Sequence, residues 1–144
     1  MKQLKKSIIL FIIFGLMYMG LEILWRGYTH WTMGIAGGIC GVIVGYFNEF
    51  CPNMSMRNQC FLGTGLILLI EYVAGYILNI RLGLNIWDYS DLPLNINGQI
   101  CLPFAILWFL LTILITYIDD FIRYKLFGEE KPEPFITYII ELFK

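Results

Sequence analysis

Glu71 sits inside the apolar run from Leu66 to Gly75. A carboxylate in such a segment costs about 2.5–3.5 kcal/mol on membrane-insertion scales, so it has to be paired, protonated or turned toward a wet cavity. Asn79 follows at a separation of eight residues, two helical turns on and on the same face. The chain then passes Arg81 into a polar connector carrying Trp87, Asp88, Tyr89 and Ser90 in succession: an indole, a carboxylate, a phenol and a hydroxyl. A second acid, Glu22, precedes Arg26 by four residues, the favourable order for an ion pair on one helix face. Its place toward the end of its own apolar run admits either an interfacial ion pair or a share in the same polar site. Glu71, Asn79, Trp87, Asp88, Tyr89, Ser90, Glu22 and Arg26 are therefore the candidate substrate-binding or intramembrane polar site. The chemistry these groups offer is hydrogen bonding and charge selection, not bond making.

Catalysis has little to stand on. No nucleophile lies at a recognisable spacing from a base, and the paired acids Asp88 and Asp91, or Asp119 and Asp120, sketch acid–base or metal chemistry only in outline. No phosphate-binding glycine loop of the P-loop type is present, so any ATP hydrolysis belongs to another polypeptide. His30, the single histidine, has no Cys or carboxylate at ligand spacing and reads as an interfacial anchor or hydrogen-bonding group. Cys40, Cys51, Cys60 and Cys101 form no Cys-x-x-Cys pair. They read as small buried hydrophobes, with a Cys40 to Cys101 disulfide as the alternative if their helices touch. The expectation is a chain with no catalytic residue, no metal ligand and no cofactor.

The elements that position these groups follow from composition. Of the 144 residues 58% are hydrophobic and only 15% charged, with a mean hydropathy of +0.69, against about 45–50% apolar and 25% charged in soluble domains. This is the composition of an all-α integral membrane protein. A net charge of −1 without a dense basic cluster excludes nucleic acid as a partner. Four apolar runs are long enough to be spans: Ser7–Leu24, Met33–Phe47, Cys60–Leu82 and Gln99–Ile118. The segment after Lys2, Lys5 and Lys6 is a retained first span and not a signal peptide, because it is long, holds Glu22 and lacks a small-residue cleavage site.

Span two is short and glycine-rich. Gly37, Gly41 and Gly45 repeat at intervals of four, a stripe that lets another helix backbone approach closely. Span three aligns Thr64, Glu71, Gly75 and Asn79, and span four aligns Trp108, Thr112, Thr116 and Asp120, so each carries a polar stripe that should face the bundle. Glu71 is expected to bond across to the Trp108 face or to the glycine-rich span, and Asp119 and Asp120 to close span four at the membrane edge. The connector Gly83–Gly98 exceeds ordinary connection lengths and holds Trp87, Tyr89, Leu92, Pro93, Leu94 and Ile96, side chains that need a surface to cover. It is expected to fold back over the bundle as a lid, with Asp88 accepting a loop amide or pairing with Arg81 or Arg26.

The four spans make residues 1–128 one transmembrane domain, and residues 129–144 a cytoplasmic tail. Phe135, Ile136, Ile139, Ile140 and Phe143 in the stretch from Pro134 to Lys144 form the apolar face of a short amphipathic helix, too short to span. Every Lys and Arg except Arg26 and Arg81 falls on the side of the N-terminus, which by the positive-inside rule places both termini in the cytoplasm of a multi-pass cell-membrane protein. The order Glu22, Trp31, Gly37-Gly38-Ile39-Cys40 is met again as Glu71, Trp87, Gly98-Gln99-Ile100-Cys101, an order that also fits two duplicated helical hairpins.

Glu71 with Gly75, then Trp87-Asp88-Tyr89-Ser90, Pro93, Asn95, Gly98, Ile100-Cys101 and Trp108 resemble the pattern of bacterial membrane proteins filed as ABC-transporter permeases of the CmpB type. A eukaryotic group of multi-pass membrane proteins has a similar acid, glycine and Trp-Asp-Tyr-Ser arrangement. The resemblance covers spans three and four, extends less closely over Glu22 through Gly38, and Gln99 stands where many relatives carry a basic residue. It implies a small permease-type transport subunit with a polar intramembrane site, whose partners are membrane lipids and either further copies of itself or a separate ATPase subunit. The other reading is an interaction or regulatory membrane protein whose polar stripes hold helices together.

Overall fold

The computed structural model describes residues 1–144 as an all-helical bundle. α1 (Lys2–Arg26), α2 (Trp31–Phe50), α3 (Met56–Gly75), continued by a π-helical extension (Tyr76–Arg81), and α4 (Leu102–Phe127) are all long and apolar enough to cross a membrane. α5 (Phe135–Leu142) is short. Local chemistry sets the ends. α1 stops at Gly27, whose left-handed φ of 80° lets its N–H reach the Ile23 carbonyl. His30 caps α2 by accepting from the Thr32 amide at 3.4 Å, and Ser55 caps α3 by accepting from the Asn58 amide at 3.2 Å. Pro103 stands in the first turn of α4, where its missing N–H is not needed.

Two antiparallel hairpins, α1–α2 and α3–α4, pack side by side through α2. The connectors differ: a tight turn joins α1 to α2, whereas Leu82–Cys101 forms a long folded loop between the π-helical extension and α4. The glycine stripe of α2 does the close packing. A methyl group at Gly38 would lie 2.6 Å from the Phe11 carbonyl oxygen of α1. The last glycine of the stripe faces elsewhere: Gly45 makes room for Asp119 of α4.

Burial is inverted relative to a soluble protein. Glu22, Gln59, Glu71, Asn79, Gln99, Thr112, Thr116, Asp119 and Arg123 are buried, while Leu16, Leu24, Leu69 and Leu110 of the spans are exposed. Polar groups inside and apolar ones outward is the arrangement a hydrocarbon surround requires. The apolar clusters are small: Met56, Cys60, Ile113 and Tyr138 at the end bearing α5, and Met33, Ile86 and Trp87 under the long connector.

The helices outrun the apolar runs. α4 starts at Leu102, leaving Gln99 in the connector, and continues to Phe127, so Asp119 lies fully buried inside a helix and not at its closing edge. A run ends where charge begins, but a helix continues wherever its charges find partners, as Asp119 does with Arg123. At about 1.5 Å per residue, α1 and α4 exceed the ~30 Å hydrocarbon thickness, leaving room for tilt or for ends that project from it. α5 rests on α3 and α4 through buried Tyr138.

Candidate functional site

Glu71, on the face of α3 turned to α4, is 8% exposed. Its Oε2 accepts from Trp108 Nε1 of α4 at 3.1 Å, and its Oε1 accepts from the Tyr89 hydroxyl of the connector at 3.1 Å. Both donors are set by their surroundings: Tyr89 stacks on Phe104 with centroids 4.5 Å apart, and Tyr18 of α1 packs against Trp108 at 5.9 Å. Burial, and next the charge of Glu71, push the Tyr89 phenol above its ordinary range, so it stays protonated and donates.

One layer outward, Asn79 ties the connector to α3. Its Oδ1 accepts from the Ile86 amide at 2.7 Å and its Nδ2 donates to Gln99 Oε1 at 2.9 Å. Trp87 Nε1 donates to the Gln99 carbonyl at 3.0 Å. Gln99 and Trp87 fill the space that a Cβ on Gly75 would take. The π-helical extension carries Asn79 into this layer, in keeping with the frequent placement of π segments at functional sites. Arg26 pairs with Glu22 and donates to the Ile86 carbonyl at 2.7 Å, so the ion pair also pins the start of the connector.

The connector is thus a docked lid, closed on itself by the bridge between Ile96 and Ile100. Of the site residues read from the sequence, Trp87 and Tyr89 of the lid meet Glu71 and Asn79 beneath it, with Glu22 and Arg26 at its edge. Asp88 and Ser90 lie on its exposed outer turn. There Asp88 Oδ1 accepts from the Ser90 amide at 2.9 Å and from the Ser90 hydroxyl, which together hold its carboxyl below the usual carboxylate range. Asp88 meets the loop amide and pairs with neither arginine: Arg26 is paired with Glu22, and Arg81 makes no ion pair. All four cysteines are free, so Cys40 and Cys101 are not bonded.

Two features escaped the sequence reading. Gln99 is a hub of the lid network; nothing in its neighbours announces that. The second is a charged network at the opposite, tail end. Asp119 Oδ2 accepts from Arg123 Nε at 2.7 Å, Arg123 Nη1 lies 3.5 Å from Glu49 and 3.7 Å from Glu129, and Glu129 pairs with Lys6 of α1. Asp120 accepts from Asn48 and from the Tyr138 hydroxyl of α5. The separation of four between Asp119 and Arg123 matches that between Glu22 and Arg26 and was the available signal. A cleft of about 370 Å³ opens at this end, between α5 and the α2–α3 turn, and not over Glu71.

A family profile described as "Putative ABC-transporter type IV" matches residues 4–142. No match was found among curated proteins or solved structures.

Proposed function

We propose that this chain, which belongs to the family described as "Putative ABC-transporter type IV", is a permease-type subunit that binds its cargo at Glu71 beneath the lid, in a conformation closed here. The observation that supports this reading is a carboxylate buried within a span, with one of its two donors supplied by a loop and not by a helix. Undocking Tyr89 would free Glu71 Oε1 for a cationic or hydrogen-bond-donating solute without disturbing the Trp108 contact. In this reading both termini are cytoplasmic, the lid lies on the outer face, the chain performs no catalysis, and ATP hydrolysis resides on a separate subunit docked at the tail end.

A specific observation favours the other reading, an interaction or regulatory protein: both Glu71 oxygens are already satisfied, which is what a purely structural clamp needs. Glu71→Gln separates the two. Solute levels compared between cells with and without the chain should differ, and Glu71→Gln should abolish that difference while the purified protein unfolds at nearly the same temperature. Loss of stability with no solute difference in either case would end the transport reading. Orientation is tested with the native cysteines removed: a Cys at Ser90 should react with an impermeant reagent in whole cells and one at Lys131 should not.

A further inference from the structure

We propose that Asp119 is a proton-binding site of the bundle, loaded from the tail end. This site is independent of the lid-end reading and shares no residue with it.

Asp119 is fully buried on α4. Oδ2 accepts from Arg123, whereas Oδ1, packed against Gly45 of α2, has no hydrogen-bond partner. Arg123 is 2% exposed, and neither Nη1 nor Nη2 makes a hydrogen bond; Nη1 is held only at 3.5 Å from Glu49 and 3.7 Å from Glu129. The guanidinium is thus shared among carboxylates on α2, α4 and the segment after α4. The charged groups facing this point are Asp119, Asp120 and Arg123 from α4, Glu49 from α2, Lys6 from α1 and Glu129. Acids outnumber bases, and in a low-dielectric interior that excess is poorly screened.

The acids are not equivalent. Asp120 receives hydrogen bonds from Asn48 and Tyr138, which suits an ionised carboxylate. Glu129 has Lys6, and Glu49 is partly exposed, its side chain at 33%. Asp119 alone combines complete burial with an unpartnered oxygen. An ion left so is neutralised at lower cost than it is kept charged. A proton from hydronium bonds to Oδ1 and leaves water behind, converting the carboxylate to a carboxylic acid. Arg123 stays cationic and shifts its pairing toward Glu49 and Glu129, within reach of which it already stands. Small residues matter here: Gly45 provides the space in which Oδ1 can carry hydrogen.

Infrared spectroscopy of the full chain in phosphatidylcholine vesicles reads this directly, because a protonated carboxyl has its own carbonyl stretch. The wild-type protein should show a band that grows as pH is lowered. Asp119→Asn should remove one component of it, seen in the difference between wild type and variant, and Asp119→Glu, which keeps the acid, should move that component. Asp119→Glu also serves if Asp119→Asn does not fold. A titration identical in wild type and either variant overturns the proposal. So does a band that sodium or potassium chloride abolishes at fixed pH while choline chloride does not, since the site then takes a metal cation instead.

Discussion

Tyr89→Phe isolates the single hydroxyl that latches the lid to the membrane-buried acid. The ring and its stacking on Phe104 at 4.5 Å are kept, so packing is nearly unchanged. What disappears is one O–H donor 3.1 Å from Glu71 Oε1. Hydrogen bonds to charged groups contribute about 1.5–3 kcal/mol, whereas interhelical hydrogen bonds measured within membranes average about 0.6 and reach about 1.7. With Trp108 still bonded to the other oxygen, Glu71 is not left bare, so a loss of about 1–1.5 kcal/mol is expected, close to a tenfold rise in the open population of the lid. Hydrogen exchange in detergent reads this at the lid's own amides, Tyr89 bonded to the Gly98 carbonyl at 2.7 Å and Ile96 bonded to the Ile100 carbonyl at 2.9 Å. Their exchange should quicken about tenfold, with α1 and α2 unaffected. In Glu71→Gln the same Tyr89→Phe change should have a smaller effect, because the charge that strengthens the bond is gone. Unchanged lid exchange, or equal quickening across the bundle, would refute the latch.

Arg26→Ala removes both the partner of buried Glu22 and the donor to the Ile86 carbonyl. Breaking a buried pair costs about 3–5 kcal/mol, and the 22% exposure of Arg26 lowers this to about 2–3, visible as a drop in thermal unfolding temperature that Glu22→Gln partly restores. Gly38→Ala should destabilise by about 1–3 kcal/mol, since the new methyl meets the α1 backbone, while Gly65→Ala, with open space around it, should be neutral or stabilising by up to about 1 kcal/mol in the same melting assay. Asp88, whose carboxyl is depressed by Ser90, should support the outer lid turn fully above the ordinary Asp value of about 3.9 and lose that support as pH falls through its lower folded value. The Ser90 amide should lose exchange protection only below that range, and Asp88→Asn should remove the pH dependence.

The contact between Glu71 and Trp108 could be anticipated because each lies on a polar stripe at helical spacing, and hydrocarbon leaves such stripes nowhere to face but one another. The docking of the lid followed from the need of Trp87 and Tyr89 for cover. The sequence alone determined the membrane-spanning class, the number of spans, the buried acid and the α5 amphipathic stretch, because apolar length and periodicity are local properties of the chain. It could not show that Asp88 and Ser90 turn away from Glu71, that Gln99 joins Asn79, or that Gly45 receives Asp119 while Gly38 receives α1. Those outcomes depend on the rotation of each helix about its axis and on the path of a loop closed by left-handed residues at Asn85, Leu94 and Asn97. They are settled only when all the helices pack at once. The tail-end network shows the difference most plainly: Asp119 and Asp120 are adjacent acids in the sequence, yet one turn of α4 buries the first against a glycine and hands the second to Asn48 and Tyr138.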